Sequence, residues 1–223
     1  MRKMRIAAVI SGMLVCGAVS AEGFEPPTYN AGVVNNYVFR GISQSDNHAA
    51  LQGGVDIKHP GGLYAGLWAT TQDIPNSHAH LRADAYTGVK YLDSSGLGFD
   101  VGARAYSNAF VYPGQDRGAF WEFYGALSFG PASVKLSHDF DHHDSYLEGA
   151  LKYDIGSGVK LNLHAGHYFL YDQTLGPDYS DVSAGVSRMF GGLDASIAVT
   201  DTTQKPNSKL NNTTLVISGT YHF

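Results

Sequence analysis

The joints between the alternating apolar segments of this 223-residue chain come in two lengths that take turns, and the last segment ends on Phe223. Five joints are tight: Pro60-Gly61-Gly62, Asp93-Ser94-Ser95-Gly96, Gly130-Pro131, Gly156-Ser157-Gly158 and Gly191-Gly192. Between them fall longer joints at 41–50, 72–80, 108–118, 141–145, 170–180 and 201–210. Short turns on one side and long loops on the other belong to an antiparallel barrel that crosses a membrane.

The segments themselves alternate with period 2, the mark of strands with one apolar face. Val159, Leu161, Leu163 and Ala165 alternate with Lys160, Asn162, His164 and Gly166. Leu97, Phe99, Val101, Ala103 and Ala105 alternate with Gly98, Asp100, Gly102, Arg104 and Tyr106. The pattern predicts twelve strands, near 28–40, 51–59, 63–71, 81–92, 97–107, 119–129, 133–140, 146–154, 159–169, 181–190, 193–200 and 211–223. Most are close to the roughly 9–11 residues a tilted strand needs to cross a bilayer. All eight prolines fall outside them, as expected where every strand is paired on both sides and each amide is needed.

Residues 1–21 read as a secretory signal: Arg2, Lys3 and Arg5, an apolar stretch from Ile6 to Val19, and small residues before Glu22. The only cysteine, Cys16, lies inside that segment, so residues 22–223 form one domain whose stability does not rest on disulfides. Without the signal, 12 Lys and Arg remain against 20 Asp and Glu, a net charge of −8. Such a chain is a poor nucleic-acid binder. No later run approaches the roughly 18 apolar residues of a membrane helix, so spanning requires a closed barrel.

Assigned by this register, the mixed face carries Arg40, Lys58, Arg82, Lys90, Arg104, Lys135, Lys152 and Lys160 against Asp56, Asp84, Asp100, Glu122, Asp139, Glu148, Asp154 and Asp194. The apolar face carries one charge, Arg188, near a strand end. Aromatics on that face gather at two levels: Tyr29, Tyr91, Phe99, Phe129, Tyr153, Phe190, Tyr221 and Phe223 at the turn end, and Tyr37, Phe39, Trp121, Phe123 and Phe169 at the loop end. Two aromatic girdles around an apolar band suit a barrel whose apolar face meets lipid. A soluble barrel would turn that face inward. Leu215, Ile217, Gly219, Tyr221 and Phe223 form one face of the last strand, and Tyr221 with Phe223 reads as a terminal signal for outer-membrane assembly.

The segment Asn36-Tyr37-Val38-Phe39-Arg40-Gly41-Ile42-Ser43-Gln44-Ser45-Asp46, with Ala50-Leu51-Gln52-Gly53-Gly54 and Gly62-Leu63-Tyr64-Ala65-Gly66-Leu67-Trp68-Ala69, resembles the TorF-type porin family of Gram-negative outer membranes, formerly the conserved hypothetical Gcw family. The resemblance implies a bacterial outer-membrane barrel and a pore; it brings no substrate and no catalytic residue. Lipid and the secretion and barrel-assembly machinery are the expected partners, with no cofactor.

Candidate pore residues follow from chemistry alone. Arg82, Arg104, Asp84 and Asp100, on adjacent strands, form a candidate constriction, with Arg40 and Glu122 also facing the lumen. Such charges either pair into an interior network or stand as separate walls that orient small polar or charged solutes; both readings stay open. The first loop, with Ser43, Gln44 and Asp46, fits a surface position better than an inward fold. His138, Asp141, His142 and His143 could bind a divalent metal or titrate with pH, although a solvated loop is the simpler reading. Ser137, His142, Asp144 and Ser145 raise a hydrolase, but catalysis needs nucleophile, base and orienter in mutual reach. The reading is therefore a porin giving passive diffusion through a narrow lumen. A closed structural or partner-binding barrel is the alternative and a hydrolase the third. The solute and oligomeric state stay open.

Overall fold

The computed structural model describes residues 23–73, 80–107, 119–172, 174, 176–204 and 209–223. The signal read at residues 1–21 lies outside them, as do most of the joints at 72–80 and 108–118. In chain order the strands are β1 (Thr28–Val34), β2 (Val38–Phe39), β3 (Ile42–Ser43), β4 (Ala50–Lys58), β5 (Leu63–Thr71), β6 (Leu81–Leu92), β7 (Leu97–Tyr106), β8 (Phe120–Phe129), β9 (Ala132–Asp139), β10 (Asp144–Gly156), β11 (Val159–Phe169), β12 (Tyr179–Phe190), β13 (Leu193–Thr202) and β14 (Thr214–His222). A 3-10 turn at Lys209–Asn211 precedes β14.

All but β2 and β3 form one closed antiparallel barrel of twelve strands, in which β1 pairs with β14 on one side and β4 on the other. Closure satisfies every ladder amide within the wall, which an open sheet in hydrocarbon cannot do. The five tight joints all occupy one end. At Ser157-Gly158 both residues have positive φ, 54° and 72°, the mirror-image turn whose twist matches a strand pair. At Asp93 the carboxylate accepts from Ser95 N (2.8 Å), Ser95 Oγ (2.6 Å) and Leu97 N (3.0 Å). The Ser95 hydroxyl is the main reason its carboxyl titrates below the ordinary range, with the two backbone donors assisting.

The apolar face points outward. Leu51 (65% exposed), Val101 and Leu127 (both 58%) stand on it, an exposure no soluble barrel would tolerate over its whole circumference. The turn-end girdle is where the sequence puts it: Tyr29, Tyr91, Phe99, Phe129, Tyr153, Phe190, Tyr221 and Phe223 are all exposed. Arg188 sits beside that girdle with its guanidinium 5.2 Å from the Phe190 ring. At the loop end Phe123 and Phe169 are outward.

The first strand is the main correction. It ends at Val34, where Val34 pairs with both Ala50 and Ser218, rather than running to residue 40. Residues 35–49 leave the wall and turn into the lumen, carrying Tyr37 and Phe39 off the outer girdle. Tyr37 is 9% exposed and packs on Trp68 with ring centroids 5.5 Å apart. The ladder gives way at Asn35: its amide N still donates to Ile217 O (3.0 Å), but its side chain takes over from the backbone, donating to Leu215 O (2.9 Å) and accepting from Ile217 N (2.7 Å).

Candidate functional site

The inward segment is a small folded unit. Asn36 Oδ1 accepts from Ser43 Oγ (2.6 Å) and Ser45 Oγ (3.3 Å), while Asn36 Nδ2 donates to Asn47 Oδ1 (2.8 Å). Tyr37 N donates to Ser45 Oγ (2.9 Å), and Gln44 N to Tyr37 O (2.7 Å). The surface reading of the first loop is therefore overturned: Ser43 is 3% and Gln44 0% exposed. Asp46 faces the loop end and pairs with Lys209 at 2.9 Å. A polar sequence here marks hydrogen bonds inside a buried segment, because a chain crossing a lumen must satisfy its own backbone groups.

Within it, β2 and β3 pair Val38 with Ser43 and Phe39 with Ile42. The two residues between, Arg40 (φ 49°) and Gly41 (φ 77°), make a tight mirror-image turn at the tip. A twelve-stranded barrel with strands about 4.8 Å apart and tilted about 40° has a backbone diameter of roughly 24 Å. Wall side chains narrow this, and a two-stranded hairpin with its own side chains, about 10 Å thick, takes up most of the remaining width. The tip meets the wall at β12 and β13: the position of a Gly41 Cβ lies 2.6 Å from Asp181 Cβ and 2.8 Å from Thr202 Cβ.

Arg40 there meets Glu122 through two parallel bonds, Nη1 to Oε1 and Nη2 to Oε2, each 2.7 Å. The two side chains are 7% and 4% exposed. Tyr106 OH donates to Glu122 Oε2 at 2.9 Å. The guanidinium lies 4.2 Å from the Tyr146 ring centroid and 5.3 Å from that of Tyr168. Beside it Arg82 binds Asp84 in the same forked way, Nε to Oδ1 and Nη2 to Oδ2, both 2.9 Å, with the pair 1% and 0% exposed. Arg104 Nε lies 3.3 Å from Asp84 Oδ2, and its side chain is 34% exposed.

Of the predicted constriction, the structure thus brings Arg40, Arg82, Asp84, Arg104 and Glu122 to one level. Asp100 stands four residues down β7 from Arg104, about 13 Å toward the turn end at 3.3 Å per residue. It accepts from Tyr64 OH at 2.6 Å. The charges at the constriction are paired, the first of the two alternatives set out above. Toward the turn end the lumen is lined differently. Tyr64 also meets the Tyr124 hydroxyl, Tyr86 donates to Asp56 (2.5 Å), and Lys135 pairs with Glu148. Gly66 and Gly102 lie directly under Tyr86 and Tyr124, where a Cβ would collide with the rings. The rings consequently lie along the wall instead of across the opening.

The histidine cluster disperses. His142 Nδ1 is 2.5 Å from Asp139 Oδ2, inside. His138 Nδ1 is 2.9 Å from Ser145 Oγ, on the outer face, beside an open crevice of about 400 Å³ between Trp121, Phe123, Phe140 and Asp141. His143 packs on Tyr171. Among the described residues no three His, Cys, Asp or Glu side chains converge as metal ligands. The serine–histidine and histidine–aspartate pairs lie on opposite faces of one wall and make no triad.

Sequence reasoning missed Asp181, which is buried, and the tyrosines around Arg40. Tyr146 OH donates to Asp181 Oδ2 at 2.8 Å, and His164 Nε2 lies 3.0 Å from Asp181 Oδ1. Their signal was available: Tyr106, Tyr146 and Tyr168 fall on the same alternation as Arg104, Glu148 and His164.

Residues 18–221 match the profile of a family described as a bacterial protein of unknown function, Gcw_chp. No curated protein sequence matches the chain. Among solved structures, the KdgM porin superposes with a TM-score of 0.61 at 8% identity, covering 88% of this chain and 98% of that one. The NanC porin gives 0.55 at 9% identity with the same coverage of both chains. At these identities the likeness is one of fold.

Proposed function

The chain belongs to the Gcw_chp family of bacterial proteins, and we propose that it is an outer-membrane porin passing small polar or charged solutes through a lumen narrowed by its own residues 35–49. The observation that carries this reading is the pairing of an apolar exterior with a polar lumen blocked at one level only: the hairpin and the paired arginines hold the loop end, while tyrosines at the turn end lie flat against the wall. Passive diffusion is the mechanism such a passage allows, and selectivity belongs to charges still reaching water, Arg104 first. The fold shared with KdgM and NanC supports a pore-forming role; KdgM itself is described in complex with disordered oligogalacturonate. The TorF-type resemblance of residues 36–69 points the same way. The proposal includes export by the signal, assembly through the terminal Tyr221 and Phe223, and no catalysis.

The test is single-channel conductance of the refolded mature protein in a planar bilayer, beside a variant lacking residues 36–48. Discrete steps from the wild type, larger ones from the deletion, support the reading. Silence from both, with folding established by a heat-dependent gel shift, overturns it. A silent wild type beside a conducting deletion favours the second reading, a closed barrel, which the buried Arg40–Glu122 pair across the lumen makes specific.

A further inference from the structure

In the socket that receives Arg40, the carboxylate and the tyrosines belong to the wall, while the hairpin itself adds the Phe39 ring, 4.8 Å from the guanidinium, and Ile42, which packs in one buried cluster with Tyr146 and Tyr168. Tyr106 stacks on Phe120 with centroids 4.8 Å apart and donates to Glu122. Tyr146 is fixed by Asp181 and His164. Tyr168 stacks on Tyr179 at 5.4 Å and 9°. Each wall member thus has a strand partner of its own besides the hairpin, and a change confined to the Arg40 side chain leaves those partners in place. The socket presents one carboxylate in forked register and the faces of two tyrosines. That chemistry fits a planar guanidinium better than a compact ammonium, because the fork matches both carboxylate oxygens and the plane stacks on the rings.

The chain strains itself to put an arginine there. Arg40 holds φ at 49°, a region suited to glycine or asparagine, at the tip position where Asn-Gly is the common sequence. A turn residue chosen for the turn alone would not be arginine.

We propose that this socket is a binding site for the guanidinium group of small solutes, filled here by Arg40 as an internal occupant. The inference rests on the porin reading for access from solution, whereas binding itself is independent of conduction. A solute carrying a guanidinium competes with Arg40, and winning displaces the hairpin that narrows the lumen.

The test uses the full mature chain with Arg40→Gly, which empties the socket and relieves the turn; Arg40→Asn serves as a second variant. Titration calorimetry in detergent micelles compares L-arginine with citrulline, its uncharged isostere, and with lysine, which has the charge without the fork. L-Arginine should bind Arg40→Gly at least tenfold more tightly than either, and Arg40→Gly/Glu122→Gln should lose that preference. Equal binding of the three compounds, or no heat with arginine, overturns the site. In the wild type, L-arginine added on the loop side of a bilayer should lengthen the larger-conductance states and citrulline should not; equal effects overturn it even if neither variant folds. Silent bilayers with selective binding in micelles would refute the porin reading and leave the site standing.

Discussion

Replacing Glu122 by alanine should free the hairpin more readily than it unfolds the barrel. Removing one partner of a buried ion pair costs about 3–5 kcal/mol, because the other charge is left unpaired in a dry site. The Arg40–Glu122 pair, 7% and 4% exposed, fits that case, and Tyr106 loses an acceptor as well, about 1 kcal/mol more. Arg40, however, is carried on a segment that joins the wall's ladders at Val34 and Ala50 and is otherwise held by side-chain and loop contacts such as Asp46 to Lys209 and Gln44 O to Asp73 N. It escapes the penalty if the hairpin leaves, so the cost falls on docking and not on the twelve-strand wall. Even 3 kcal/mol shifts the docked-to-undocked ratio more than 10²-fold. The assay uses the chain's own fluorescence. Trp68 lies inside against Tyr37 and the other tryptophan is Trp121, so Trp121→Phe leaves one reporter of the hairpin. On that background Glu122→Ala should shift Trp68 emission to the red and open it to a soluble quencher. The heat-dependent gel shift should stay normal, and channel records should show longer large-conductance states. An unshifted Trp68 with wild-type records, or loss of the folded band in place of hairpin release, refutes the reasoning.

Four further outcomes are expected. Arg82→Met leaves Asp84, itself 0% exposed at the side chain, with Arg104 alone; urea unfolding in lipid vesicles should register a loss of about 3 kcal/mol. Arg104→Ala removes the constriction cation that still reaches water, and the reversal potential in a salt gradient should move toward cation preference; an unchanged potential removes Arg104 from that role. Val101→Arg places a charge on the outer face at mid-strand, and the same vesicle assay should show a loss of about 2–4 kcal/mol; no loss would contradict the assignment of faces. The Asp93 carboxyl titrates below its ordinary range because of Ser95, so its contribution is present above the unfolded carboxyl's pKa of about 3.9 and is lost as pH falls through the lower folded value. The gap in unfolding midpoint between wild type and Asp93→Ala should therefore close as pH drops below about 4.

The wall was legible in the sequence because period-2 alternation and turn chemistry are local. Leu97 to Tyr106 announces its two faces without reference to any neighbour, and the five glycine-bearing turns occur where they were read. The same reasoning failed at Tyr37 and Phe39. Those two residues continue the outward alternation of β1, and nothing local shows that Asn35 would bond to β14, 180 residues away. The polar run Ser43-Gln44-Ser45 misled for a related reason: a hydrogen-bonded buried segment and a solvated loop have similar composition. At the constriction, charge type and face were readable, but the partner of each charge depends on barrel register. Asp100 consequently fell a full step below the arginines it was grouped with, and Arg40 found its carboxylate on β8, across the lumen.

The root of the hairpin is also the seam of the barrel. Asn35, first residue of the inward excursion, grips Leu215 and Ile217 of β14, the strand that closes the ring against β1. That seam joins Asn30 to His222 and Val34 to Ser218, the pairings most distant in sequence and therefore the last to be reached by a growing sheet. The root that fixes where the narrowing segment leaves the wall is therefore fixed by ring closure. A sideways breach at this seam would loosen the stopper at its base, whereas release of the tip from β8 opens the passage lengthwise and leaves the seam shut.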